Sequence, residues 1–142
     1  MAQTNTARRQ EASTETGEKP VHGTFYWNEL MTHDPERAKA FYGEAIGWTF
    51  DAMAMPNGTY SVAKVGDKPV GGIFTMAGPD FEGVPEHWMA YLTVDDVDAR
   101  VAKAVAAGAT VCRPAFDIPT IGRVAMLRGP GGAMIGWITP AS

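Results

Sequence analysis

Hydrophobic and polar positions change period along the chain, and each change marks an element. Residues 25–31, Phe25-Tyr26-Trp27-Asn28-Glu29-Leu30-Met31, are rich in aromatic and β-favouring side chains and predict a strand. Asp34-Pro35-Glu36 follows and predicts a helix start. Asp34 can accept from the orphan N–H groups of a first turn, Pro35 suits the first helical position, and Glu36 favours the positive end of the dipole. Ala38, Phe41, Tyr42 and Ala45 then recur at helical spacing as one apolar face, and Gly47 ends the helix. Three short strands are predicted next, over 48–53, 59–65 and 70–76. Pro56-Asn57-Gly58 and Gly66-Asp67-Lys68-Pro69 supply the turn chemistry between them. The run reads β-α-β-β-β.

After a linker over 78–85 the same plan returns. Residues 87–94 predict a strand, Asp95-Asp96 offers an N-cap, and Val97, Val101, Ala104 and Val105 line a helix face that ends at Gly108. Strands are predicted at 109–116, 123–128 and 133–139, with Gly129-Pro130-Gly131-Gly132 as a hairpin loop rather than a phosphate cradle, since a strand and not a helix follows it. Thr32 matches Val94 at an offset of 62, and residues 70–74 match 134–138 at an offset of 64. The chain reads as an internal duplication.

The 142 residues suit one domain with a real core, and 45% hydrophobic with 20% charged residues is ordinary globular composition. A net charge of −4 with no basic cluster beyond Arg8-Arg9 argues against nucleic acid as a partner. No apolar run approaches the roughly 18–20 residues of a membrane span, and the start of the chain lacks the apolar stretch of a signal peptide. The expected setting is cytoplasmic, without membrane contact. Cys112 has no internal disulfide partner and, in a predicted strand, reads as a packed thiol. Residues 1–20 carry no large apolar side chain after Met1 and predict a disordered tail, leaving one domain over 21–140 with modules at 21–77 and 86–140. His22 and His33 read as solvated.

Two β-α-β-β-β modules, the first with Trp27, Glu29-Leu30, Thr32, Asp34-Pro35, Ala38, Phe41-Tyr42 and Gly47-Trp48 in order, resemble the vicinal-oxygen-chelate superfamily. That superfamily includes glyoxalases, extradiol dioxygenases and bleomycin- or fosfomycin-resistance proteins. The resemblance implies an α+β fold: two tandem modules forming a U-shaped mixed eight-stranded sheet with helices outside and a cavity lined by each module's first and last strands. It also implies a homodimer. Metal-using members place His, Gln or Glu at one position on each first strand and one on each last strand. Carried onto this chain, those positions fall on Trp27, Met89, Gly72 and Gly136. A divalent ion needs about three protein donors or more, and this frame supplies none. The expectation is a protein without the family's metal or any other cofactor, away from glyoxalase, epimerase and extradiol dioxygenase chemistry.

Alternation puts Trp27 and Glu29 on one face of the first strand and His87, Met89 and Tyr91 on one face of the other module's first strand. If those strands meet antiparallel with Trp27 opposite Met89, Glu29 faces His87. That juxtaposition reads either as a structural cross-strand pair or as an acid/base couple. Trp27, Tyr60, Met89, Tyr91 and Met126 are candidate ligand-binding residues, with Gly72 and Gly136 leaving room. Met134, Val70 and Phe74 also point that way by alternation, whereas Trp48 and Trp137 read as core or interface. Arg123 and Arg128 read as solvated strand ends or as partners of an anionic ligand, and Asp95-Asp96-x-Asp98 as a helix cap. Two function classes follow: a metal-independent binder of a small hydrophobic or aromatic molecule, or a lyase- or isomerase-type enzyme using Glu29 and His87 as acid/base groups or metal ligands; a dimerisation or partner module is a third reading.

Overall fold

A computed structural model describes residues 20–55 and 58–141. The expected tail, apart from Pro20, and the turn residues Pro56 and Asn57 lie outside the described residues. The elements are β1 (Phe25–Thr32), α1 (Pro35–Ile46), β2 (Thr49–Met55), β3 (Gly58–Val65) and β4 (Lys68–Thr75), then β5 (His87–Thr93), α2 (Val97–Ala106), β6 (Thr110–Ile118), β7 (Gly122–Arg128) and β8 (Met134–Pro140). A single 3₁₀ turn, Pro79–Phe81, interrupts the linker. The eight strands form one mixed sheet in the order β2-β3-β4-β1-β5-β8-β7-β6, with each module's last strand parallel to its first. The α+β class and the two β-α-β-β-β runs are as the pattern predicts.

The helix ends follow from their caps. The Asp34 carboxylate accepts from the Arg37 N–H at 3.1 Å, Pro35 opens α1, and Gly47 closes it in the left-handed region at φ 81°. Asp96 plays the same role for α2, accepting from the Ala99 N–H at 3.2 Å. Asp34→Ala and Asp96→Ala are each expected to lower stability by about 1 kcal/mol, as a shift of the urea midpoint without a change in slope. An unchanged midpoint in either variant would show that the cap contributes nothing there.

The helix faces are covered less than the spacing suggests. Along α1 Ala38 and Tyr42 are half-buried, but Phe41 is 61% exposed and Ala45 is exposed. On α2 Val97 is buried, Val101 and Ala104 are half-buried, and Val105 is exposed. The i, i+3, i+4, i+7 rule marks a stripe wider than the strip of helix that the sheet covers.

The chain divides into two compact units at positions inside β1 and β5. One runs from Trp27 to Ala90 and buries Leu30, Met31, Ala63, Ile73, Met76 and Met89. The other joins the described residues up to Tyr26 to those from Tyr91 on, where the Gly23 N–H donates to the Thr93 carbonyl at 2.7 Å and the Thr93 N–H to the Thr24 carbonyl at 2.8 Å. Its core cluster is Val94, Val97 and Ala125, with Val101, Ala115 and Trp137 against it. β6 ends the strand order, and its pairing to β7 is irregular on both sides of Arg113. An edge strand tolerates Pro114, which has no N–H to donate. Cys112 is exposed on this strand, so the expectation of a packed thiol fails: an edge strand has one flank and much of one face in water.

Candidate functional site

The parallel strand pairs set the site. Glu29 stands in register with Gly72 across β1 and β4, and Tyr91 with Gly136 across β5 and β8. Glu29 and Tyr91 are 62 apart and Gly72 and Gly136 are 64 apart, the two offsets of the duplication, so each unit repeats the other's register. The residues beside the two glycines are therefore Glu29 and Tyr91, two positions beyond Trp27 and Met89.

Within the Trp27–Ala90 unit, three of the predicted residues meet. Alternation turns Trp27 and Glu29 to the same face of β1. On β3, Val62 lies opposite Gly72, which places Tyr60 two residues along on the same face and within diagonal reach. The Tyr60 hydroxyl accepts from Trp27 Nε1 at 2.9 Å and donates to the buried Glu29 carboxylate. A β-carbon on Gly72 would land on that hydroxyl, so the space left by the missing side chain is filled by the phenol. Burial, then the Glu29 charge and the hydrogen bond to it, push the Tyr60 phenol well above its ordinary range, with the Trp27 bond acting the other way. Tyr60 stays protonated throughout the physiological range.

The other unit repeats the device with different chemistry. The Tyr91 ring, 7% exposed, lies where a β-carbon on Gly136 would stand, and Met126, half-buried, is the cross-strand neighbour of Gly136 from β7. Here an aromatic ring stands over the glycine. The pairing of each glycine with a tyrosine is a feature that sequence reasoning missed. The 62-residue offset aligns Tyr91 with Glu29 and could have placed Tyr91 beside Gly136, whereas Tyr60 reaches Gly72 from β3 through a strand register that no offset in the sequence marks.

The remaining candidates are placed as follows. Met89 is 1% exposed and belongs to the core of its unit. His87 is half-buried, and its Nδ1 lies 2.8 Å from the Pro85 carbonyl. A carbonyl can only accept, so Nδ1 carries the proton of the neutral ring and Nε2 is left as an acceptor. Trp137 packs in its core with its Nε1 unbonded, and Trp48 stacks on Tyr42. Arg123 pairs with Asp98 at 2.8 Å and Asp117 at 3.2 Å, and Arg128 donates to the Gly132 carbonyl in the hairpin loop. Asp95 makes two bonds to Arg100, at 2.8 and 2.9 Å, which hold its carboxyl well below the usual range. His22 accepts from the Asp95 N–H, and the exposed His33 reaches the carbonyls of Met76 and Val84. Among the described residues no three of His, Cys, Asp and Glu come together in a way that could hold a metal ion. At the positions carried over from the family, Trp27 and Met89 supply indole and thioether and Gly72 and Gly136 supply no side-chain donor, while the residues in register beside the glycines are Glu29, which is bonded to Tyr60, and Tyr91.

The profile of a glyoxalase-like domain matches residues 28–134. The chain belongs to the glyoxalase-like family. It is a vicinal-oxygen-chelate protein by fold and by relatives. It is 46% identical over 120 residues to CFP32 of Mycobacterium tuberculosis, a protein named as a glyoxylase, covering 84% of this chain and 45% of that one. It is 28% identical over 119 residues to the anthracycline biosynthesis protein DnrV of Streptomyces peucetius, covering 75% of this chain and 43% of that one. The chain thus spans about half the length of the curated relatives it matches. Methylmalonyl-CoA epimerase from Mycobacterium tuberculosis superposes with a TM-score of 0.61 at 13% identity, over 84% of this chain and 89% of the other. At that identity the likeness speaks for the glyoxalase-like fold alone. No helix among the described residues is long and apolar enough to cross a membrane.

Proposed function

We propose that this glyoxalase-like domain binds a small hydrophobic or aromatic molecule without using a metal ion. The observation that supports it is a tyrosine at each last-strand ligand position: Tyr60 at Gly72 and Tyr91 at Gly136 put aromatic rings where metal-using members present donors. Trp27, held to Tyr60 by its indole N–H, extends the aromatic surface, and the Tyr60–Glu29 bond supplies a fixed polar group beside it. The naming of the relative DnrV for anthracycline biosynthesis fits a planar, polycyclic ligand. The assembly we propose is a homodimer.

The test is calorimetric titration with an anthracycline, with and without EDTA. Saturable binding that ignores the chelator and weakens about tenfold or more in Trp27→Ala is expected, equivalent to about 1.4 kcal/mol. Binding lost with EDTA, or stoichiometric divalent metal in protein purified without a metal resin, would overturn the reading.

A second reading, proton transfer of the lyase or isomerase kind, rests on the buried Glu29 carboxylate and the uncommitted Nε2 of His87. On that reading, solvent deuterium exchange into a carbonyl substrate is lost in both Glu29→Gln and His87→Ala. Exchange that survives both substitutions would remove it.

A further inference from the structure

A cavity of about 370 Å³ lies within the Trp27–Ala90 unit between α1 and the segment 86–88 at the start of β5. Phe41, Tyr42 and Trp88 wall it, and their positions are tied together. Trp88 Nε1 donates to the Tyr42 hydroxyl at 3.1 Å, the two rings meet edge to face at 5.6 Å, Trp48 stacks on Tyr42 at 5.3 Å, and Phe41 meets Tyr42 edge-on at 4.9 Å. Walls that are already ordered lose little freedom on binding, and the volume falls in the range of small-molecule pockets, roughly 300–1,000 Å³.

Charged groups of both signs open onto the same space. The Arg37 guanidinium pairs with no carboxylate among the described residues. Asp34 is committed to the helix cap. Glu86 uses one carboxylate oxygen to accept from the His33 N–H, at 3.3 Å, and keeps the other. The His33 ring, reaching the Met76 and Val84 carbonyls, holds the segment that carries Glu86 and His87 to the cavity, and His87 offers its Nε2 as an acceptor. We propose that this cavity binds an aromatic zwitterion of the amino-acid type: a ring between Phe41 and Trp88, a carboxylate on Arg37, and an ammonium on Glu86 with His87 as a further acceptor. An aromatic acid alone would set its carboxylate against Glu86, and an aromatic amine alone would leave Arg37 unmatched. The site shares no residue with the Trp27–Tyr60–Glu29 cluster at Gly72 or with the Tyr91 contact at Gly136.

The test uses the full chain, L-phenylalanine as probe, and amide and indole shifts followed by NMR. Saturable shifts at Trp88 and along α1 are expected, with phenylacetate and phenethylamine each binding about tenfold more weakly. Arg37→Met, at an exposed position without a side-chain partner, should weaken L-phenylalanine about tenfold, leave phenethylamine unchanged, and leave anthracycline binding as in the wild type. No saturable shift with L-phenylalanine, or L-phenylalanine binding unchanged in Arg37→Met, would overturn the proposal whatever the anthracycline titration gives.

Discussion

Gly136→Ala is expected to destabilise the protein by about 3 kcal/mol, although it adds one methyl group and asks for no unusual backbone. Gly136 is not among the residues with positive φ, so the whole effect is steric. The new β-carbon would overlap ring atoms of Tyr91, a side chain that is 7% exposed and has little room to swing. Gly131→Ala is the control: nothing lies within 4 Å of its β-carbon and its φ is ordinary, so a change within about 0.5 kcal/mol is expected. Urea midpoints of the two variants decide the matter. Combining Gly136→Ala with Tyr91→Ala should give a loss smaller than the sum of the single losses by about 1 kcal/mol or more, because the clash disappears with the ring. Equal midpoints for Gly136→Ala and Gly131→Ala would mean that the ring does not fill the glycine's space in solution.

Tyr60→Phe keeps the ring and removes the hydroxyl on which Trp27 and Glu29 converge. The Trp27 N–H loses its acceptor and the buried carboxylate loses a donor, with an expected loss of about 2–3 kcal/mol at neutral pH. The pH dependence carries a sign. Burial and Glu29 raise the folded-state value of the phenol above its ordinary 10.0, so the folded protein holds this proton where the unfolded chain releases it. The contribution is fully present below about pH 10 and is lost as pH rises from there toward the folded-state value. The gap in urea midpoint between wild type and Tyr60→Phe should therefore be widest near about pH 8 and narrow near about pH 11. Phenolate absorbance should show that Tyr60→Phe removes a tyrosine that in the wild type ionises only as the chain unfolds. A wild type in which that tyrosine ionises freely, together with a gap that is constant in pH, would show that Tyr60 is not enclosed as described.

Both outcomes depend on contacts that strand alternation could suggest but not specify. Placing Trp27, Glu29 and Tyr60 among the candidates required only period-2 patterning. That the Tyr60 hydroxyl is the joint between the other two depends on the β3–β4 register, in which Val62 faces Gly72 and the next residue on that face reaches across diagonally. The family frame put Trp27 and Met89 at the first-strand positions, whereas the parallel registers put Glu29 and Tyr91 beside the glycines. Counting along a sequence cannot supply the stagger between two parallel strands, which is decided by how the helix between them packs.

The chain by itself determined the order of elements, the duplication and the helix ends. Each of these is written in local chemistry: an Asp-Pro start, a left-handed Gly47, turn residues between alternating runs, and the identity of residues at fixed offsets. Only the tertiary structure decided what occupies the space over Gly72 and Gly136, which helix residues stay in water, and that Phe41, Trp88 and Arg37 border one cavity. These are matters of which distant side chains reach the same volume, and side-chain reach, strand stagger and the width of the strip a sheet covers on a helix are set by packing rather than by sequence spacing.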